Sequence, residues 1–196
     1  YILNLEDKDI KNMQKNAGSS DFVTYKSKNI TYLRLIEYRG IGYEKGSDPK
    51  TIGYKTVKFI QNHIDKINRN NRDSYNDYVH CIWYCVSDSR FEESEKIVLG
   101  RLRSSYKDNN LPIVLVYTQT EDIEMADKMG NYIDEINENT VFVKVLAEDV
   151  DLANNNGVLP SFGKEDLLNI TLKKCTEALG GNMINIMIRK ISNWMM

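Results

Sequence analysis

Two nearly continuous apolar runs, DYVHCIWYCVS at 77–87 and LPIVLVYT at 111–118, constrain the fold of this chain more than any other feature. A short run that is apolar at both odd and even positions is typical of a strand that is covered on both faces. Two further strands are predicted, ITYLRLIEY at 30–38 and TVFVKVLA at 140–147. A sheet with two buried faces needs helices to cover it, so the chain is predicted to be α/β.

Segments with helical spacing separate these strands. Helices are predicted over 48–68, 89–106 and 121–137. Their inward residues are Ile52, Val57, Ile60, Ile64 and Ile67 in the first, Phe91, Ile97, Val98 and Leu102 in the second, and Ile123, Met125, Met129, Tyr132, Ile133 and Ile136 in the third. The strand–helix alternation predicts a three-layer, mostly parallel sheet with helices on both faces. In such sheets, ligands bind beyond the carboxyl ends of the strands.

Composition excludes several functional classes. A net charge of −2 without any Lys/Arg-rich block argues against nucleic acid as the main partner. No run approaches the roughly 20 apolar residues that span a bilayer, and the start lacks the pattern of a signal peptide. Cys81, Cys85 and Cys175 make no disulfide framework; Cys81 and Cys85 are expected to be buried reduced thiols, with a metal site as the alternative. These features favour a cytoplasmic protein.

The C-terminal part, from 161 to 196, predicts two helices separated by Gly180 and Gly181. Residues 182–196 are interpreted as a packing helix; the alternative is a helix that binds a partner or touches a membrane. His63, in a helix-like segment among charged neighbours, is expected to be exposed, with a role as a ligand as the alternative.

Acidic and small residues follow the predicted strands. The first strand runs into LIEYRG (35–40), the third into TQTED (118–122), and the fourth into LAED (146–149). Each pattern alone is weak, because an acid at a strand end is usually only solvated. Their order along an α/β chain is what indicates a ligand site.

In this order the motifs resemble those of the G domain of the GTPase class that includes septins, dynamin-like proteins and immunity-associated GTPases. LIEYRG resembles the DxxG motif, VLVYTQTED the base-recognition motif NKxD, and KVLAED the later SAK loop; SFGKEDLL resembles the stretch that leads into the last helix. The resemblance extends from about residue 20 to about residue 180. It implies nucleotide-binding roles for Gly40, Thr118, Gln119, Glu121, Ala147 and Glu148.

The resemblance also implies individual roles for five residues. Glu37 would hold a Mg²⁺-bound water, and the Gly40 N–H would meet the γ-phosphate. Thr24, in the predicted loop FVTYKS, is the candidate switch threonine that ligates Mg²⁺. Glu121 would accept two hydrogen bonds from guanine, which adenine cannot supply, and the Ala147 N–H would contact the guanine oxygen.

The chain departs from the G-domain pattern in three ways. Glutamate replaces aspartate at Glu37 and Glu121, and Ile41 stands where Ras-like members carry the water-orienting glutamine. An apolar side chain cannot orient water, so hydrolysis would be slow unless another group supplies this function. The third departure is the missing phosphate loop, since G-x-x-x-x-G-K-[ST] occurs nowhere in the 196 residues. We expect the loop and its strand to precede Tyr1 in the parent protein, because YILN resembles the end of the helix that follows such a loop.

Two functions are compatible with these features. The preferred hypothesis is one GTPase-like domain over 1–196, a GTP/GDP-binding switch with slow Mg²⁺-dependent hydrolysis, which acts through a homodimer or an effector protein. The alternative is a degenerate G fold that serves as a protein-interaction scaffold without turnover. The substituted acids and the missing lysine-bearing loop favour the scaffold, and the retained order of the base-end motifs favours the switch.

Overall fold

In the computed structural model, eight segments of the chain are described: 22–26, 34–38, 48–70, 78–87, 93–106, 111–118, 141–151 and 157–179. They divide into two compact units, of which the first ends at Tyr78 and the second begins at Val79. The single domain predicted over 1–196 stays a prediction. The predicted helices at 121–137 and 182–196 lie outside the described residues.

The first unit contains a two-stranded antiparallel ladder. Strand β1 (Phe22–Lys26) pairs with β2 (Arg34–Tyr38), and Thr24 lies opposite Ile36. The prediction that Thr24 lies in a loop is therefore wrong. Aromatic and β-branched residues fill positions 22–25, and such residues fit the pleated surface of a strand. The ladder also shows that β2, which was predicted within a mostly parallel sheet, has an antiparallel neighbour.

Helix α1 (Pro49–Asn70) follows the ladder. Asp48 caps its first turn, because the carboxylate Oδ2 accepts hydrogen bonds from the Thr51 N–H at 3.0 Å and from the Thr51 hydroxyl at 3.1 Å. Proline at the first helical position suits this start. The predicted inward face is confirmed, with Ile52, Val57 and Ile64 buried and Ile60 and Ile67 half-buried.

An aromatic cluster, formed by Phe22, Tyr38, Phe59 and His63, packs α1 against the ladder. The Phe22 ring stacks on the His63 ring with 3.5 Å between centroids, and lies 5.2 Å from the rings of Tyr38 and Phe59. His63 is half-buried, so its predicted exposure is wrong. Burial lowers the pKa of His63, and the charge of Lys66 lowers it further.

The second unit contains a three-stranded parallel sheet in the order β3–β4–β5, formed by β3 (Ile82–Ser87), β4 (Ile113–Thr118) and β5 (Val141–Val145). The predicted α/β class is confirmed by this sheet and its helices. Central strand β4 is buried from Val114 to Tyr117, as its unbroken apolar sequence predicts.

Helices α2 (Glu93–Tyr106) and α3 (Lys164–Leu179) contact the sheet through neighbouring residues of β3. The Tyr84 hydroxyl donates to the Glu95 carbonyl of α2 at 3.2 Å, and the Trp83 indole N–H donates to Thr171 Oγ1 of α3 at 2.8 Å. Successive strand side chains point to opposite faces, so the two helices contact opposite faces of the sheet. A hydrophobic core on the α2 side consists of Val86, Leu99, Leu115 and Tyr117.

A short antiparallel pair, β6 (Val150–Asp151) and β7 (Val158–Leu159), lies between β5 and α3 in the chain. Among the helices of the described segments, none combines the length and the apolar character needed to cross a membrane.

Candidate functional site

The carboxyl ends of the three parallel strands lie in register. Ser87 pairs with Thr118, and Thr118 pairs with Val145. We call this row the carboxyl edge. The last residues of β4 and β5 therefore lie at the same edge, and Ala147 follows Val145 by two positions. The structure thus brings together the beginning of TQTED and the LAED segment, which are more than 20 residues apart in the chain.

Thr118 links the carboxyl ends of β3 and β4. Its side chain is half-buried, and the hydroxyl donates a hydrogen bond to the Val86 carbonyl at 3.0 Å. This bond connects the ends of the two strands just before the chain leaves the sheet. The predicted nucleotide-binding residues Gly40, Gln119 and Glu121 lie outside the described residues.

The segment after β5 is held by contacts with the start of α3. Leu146 and Phe162 exchange two backbone hydrogen bonds, of 3.1 and 3.0 Å. The Lys164 ammonium donates to the Ala147 carbonyl at 3.1 Å. Ala147 and Glu148 are both exposed. These contacts orient the backbone of Ala147 while its surface stays accessible.

A further hydrogen bond holds the LAED segment against the residues that precede α3. The Asp149 carboxylate accepts a hydrogen bond from the Ser161 backbone N–H at 2.6 Å, a short bond to a charged acceptor. The Lys164 ammonium also lies 3.5 Å from Ser161 Oγ. The LAED segment is therefore a loop with a defined backbone, which carries carboxylates and peptide groups at the carboxyl edge. Such groups can recognise the polar rim of a small ligand.

Gly163 makes this arrangement possible. Its φ is +80°, in the left-handed region, and a Cβ at this position would collide with the Lys144 carbonyl oxygen and approach the carbonyl carbon to 2.9 Å. Glycine is needed because α3 begins in direct contact with the end of β5. Sequence reasoning missed the roles of Gly163 and Lys164, although the glycine directly before a predicted helix was an available signal.

The two predicted metal ligands lie in the first unit. Glu37 is half-buried and accepts a hydrogen bond from the Tyr25 hydroxyl at 3.0 Å. Val23 lies opposite Glu37, and Thr24 lies opposite Ile36. Opposed residues share a face and successive residues alternate, so Thr24 and Glu37 point to opposite faces of the ladder. The structure does not bring these two side chains together.

The described part of the chain contains no group of three or more His, Cys, Asp or Glu side chains that could hold a metal ion. This does not conflict with a magnesium site, because Mg²⁺ is usually bound by one or two carboxylates together with waters and substrate phosphates. Glu37 alone fits that pattern. Thr24 does not join the same donor set.

These features define an α/β chain with a parallel sheet whose carboxyl edge carries an ordered, acidic loop. Comparisons of the chain with protein families, with curated proteins and with solved structures find no match.

Proposed function

We propose that this chain is a guanine-nucleotide-binding domain of the G-domain type, which acts as a switch with slow Mg²⁺-dependent hydrolysis. The observation that carries the proposal is the register of Thr118 with Val145, which brings the first residue of TQTED and the LAED segment to one sheet edge. In a G domain, the base-binding motifs that these segments resemble act together on one purine. Ligands of open α/β sheets bind beyond this edge.

The strand pairing is compatible with the same proposal. The described strands form the ladder β1–β2 and the sheet β3–β4–β5. In G domains, the strand that precedes the phosphate loop is central in the sheet. The proposed phosphate site also requires a phosphate loop, whose motif does not occur among the 196 residues.

The proposed base site selects guanine by hydrogen bonding. Glu121 accepts from the N1–H and the 2-amino group, and the Ala147 N–H donates to the guanine oxygen. Adenine lacks that donor pair, so with ATP bound the Glu121 carboxylate would have no hydrogen-bond donor to accept from, which costs a large part of the binding energy. The Phe162 N–H donates to the Leu146 carbonyl at 3.0 Å, and this contact supports the role because that carbonyl and the Ala147 N–H belong to the same peptide unit.

The proposed phosphate site uses charge and position rather than covalent chemistry. Glu37 holds a Mg²⁺-bound water, and the Gly40 N–H meets the γ-phosphate. Phosphoryl transfer to water then depends on neutralising the charge on the phosphate oxygens. Ile41 cannot orient the attacking water, which makes hydrolysis slow. Thr24 is not part of this proposal, because it points away from Glu37.

The test is a titration of the full-length protein with a fluorescent GTP analogue in the presence of Mg²⁺, with GTP and ATP as competitors. We expect saturable binding that GTP displaces and ATP does not. Glu121→Ala should abolish the binding. Glu177→Ala is the matched control, because Glu177 is exposed near the end of α3 and pairs with Lys174.

Equal displacement by ATP would contradict the base site. Absence of saturable binding would contradict the switch and would leave the scaffold as the function to pursue.

A further inference from the structure

The cysteines are arranged differently from the prediction. Cys85 is exposed, so its predicted burial is wrong, whereas Cys81 is half-buried and Cys175 is buried. Cys175, on α3, donates a hydrogen bond from its sulfur to the His80 carbonyl at 3.4 Å. His80 is bonded directly to Cys81, and the Cys81 and Cys175 side chains are hydrogen-bonded to each other. The structure therefore brings together two thiols that are far apart in the sequence.

The geometry of β3 and α3 explains the pairing. Cys81 directly precedes β3 and lies two positions before Trp83, whose side chain contacts α3, so continued alternation places both on the α3 side. Cys175 and Thr171 are four positions apart and share one face of α3. Two residues along a strand span about 6.6 Å, and four residues along a helix span about 6 Å. The spacing from Trp83 to Cys81 therefore matches the spacing from Thr171 to Cys175. The Trp83–Thr171 hydrogen bond thus holds Cys81 beside Cys175.

The environment makes the two thiols unequal. The pKa of Cys81 is raised, first by its hydrogen bond with the Cys175 side chain and then by burial. The same hydrogen bond lowers the pKa of Cys175, since it stabilises the thiolate. The thiolate is the reactive form of cysteine. Cys175 is therefore the better nucleophile, and Cys81 is its neighbouring thiol.

We propose that Cys81 and Cys175 form an oxidation site, which closes to an intrachain disulfide when hydrogen peroxide reaches it. The Cys175 sulfur attacks one peroxide oxygen, the O–O bond breaks, and the departing hydroxide takes up the Cys175 proton to become water. The Cys81 sulfur then attacks the Cys175 sulfenic acid, the S–O bond breaks, and a second water leaves with the Cys81 proton. Two thiols and one peroxide give one disulfide and two waters.

The disulfide would join the start of β3 to α3 within the second unit. It would restrict the unfolded chain over the long segment between the two cysteines, so oxidation should raise the resistance of this unit to unfolding. The site does not depend on nucleotide binding.

The test treats the folded, full-length protein with hydrogen peroxide, blocks the remaining thiols with N-ethylmaleimide, and maps the peptides by mass spectrometry. We expect a linkage between the Cys81 and Cys175 peptides, loss of two hydrogens in mass, and reversal by dithiothreitol. Cys85 should carry N-ethylmaleimide. Cys85→Ser should retain the linkage, and Cys81→Ser and Cys175→Ser should lose it.

The wild-type map tests the proposal even if a serine variant fails to fold. The proposal is overturned if Cys81 and Cys175 both remain alkylated in the folded protein, if the linkage involves Cys85, or if Cys175 proceeds to sulfinic acid without a link. Oxidation in urea is the control, because unfolding removes the native proximity of Cys81 and Cys175. Under these conditions the disulfide should be distributed among all three cysteines.

Discussion

The Trp83 indole N–H donates a hydrogen bond to Thr171 Oγ1 at 2.8 Å, across 88 positions of the sequence. The Thr171 hydroxyl in turn donates to the Leu167 carbonyl, one turn earlier in α3, at 2.7 Å. A single hydroxyl thus satisfies the indole and stays bonded to its own helix. These two hydrogen bonds fix the position of α3 along β3. They therefore also fix where the helix begins, which is beside the carboxyl edge.

Replacing the hydroxyl should therefore destabilise the second unit. Thr171→Val keeps the shape of the side chain but leaves the half-buried indole N–H without its acceptor. We expect the free energy of unfolding to fall by about 1–2 kcal/mol, measured by urea denaturation followed through tryptophan fluorescence. Thr171→Ser keeps the hydroxyl and should lose less. Equal stability of the valine and wild-type proteins would show that the bond contributes nothing.

Two glycines should respond in opposite directions to alanine. Gly163→Ala forces a side chain into a left-handed backbone and against the Lys144 carbonyl, so we expect a loss of at least about 2 kcal/mol. Gly100→Ala, in α2 with nothing within 4 Å of the added Cβ, should gain about 0.5–1 kcal/mol. Urea denaturation of both variants tests the pair. A Gly163→Ala protein as stable as wild type would refute the close approach of α3 to β5.

The aromatic cluster should make the first unit sensitive to acid. The pKa of His63 is lowered from its ordinary value of 6.5 when the protein folds. The unfolded chain therefore binds the proton more readily, and stability is highest above pH 6.5 and declines as the pH falls toward the folded value. His63→Phe keeps the stack on Phe22 and should flatten this dependence. Urea midpoints of both proteins across this pH range provide the measurement, and parallel curves would contradict it.

Lys164 offers a test of the loop at the carboxyl edge, one that rests on the proposed nucleotide site. Lys164→Met removes the donor to the Ala147 carbonyl but keeps a long apolar stem. We expect the dissociation constant for the GTP analogue to rise about fivefold, which corresponds to about 1 kcal/mol for one hydrogen bond. Lys173→Met, on the exposed side of α3, should leave the constant unchanged. An equal effect of both variants would assign the loss to charge rather than to the contact.

Local patterns were enough to predict several strands and helices of both units. The apolar runs at 77–87 and 111–118 contain β3 and β4, because a strand buried on both faces needs no polar alternation. The spacing of isoleucines in α1 predicts its buried face correctly, because a helix repeats with a fixed period. The short strand β1 escaped prediction, since five residues with two polar members carry little periodicity.

The candidate site was less predictable, because it depends on residues that meet across the fold. Thr118 and Ala147 could be placed at strand ends from their sequence context, and parallel strands end at one edge. The Lys164 contact, the opposite orientations of Thr24 and Glu37, and the pairing of Cys81 with Cys175 could not. Each of these three features depends on a strand register or on the position of α3 against the sheet, and no local sequence pattern encodes either.

Hydrophobic periodicity alone thus determines where this chain forms buried strands and helices, because burial is a property of each segment and its neighbours along the chain. Which side chains meet is settled by the packing of those segments. The nearness of Cys175 to Cys81 depends on how α3 lies along β3, and that alignment is selected by the Trp83–Thr171 hydrogen bond and by the close approach at Gly163. These are contacts between distant residues, and their free energy exists only once the helix and the sheet have come together.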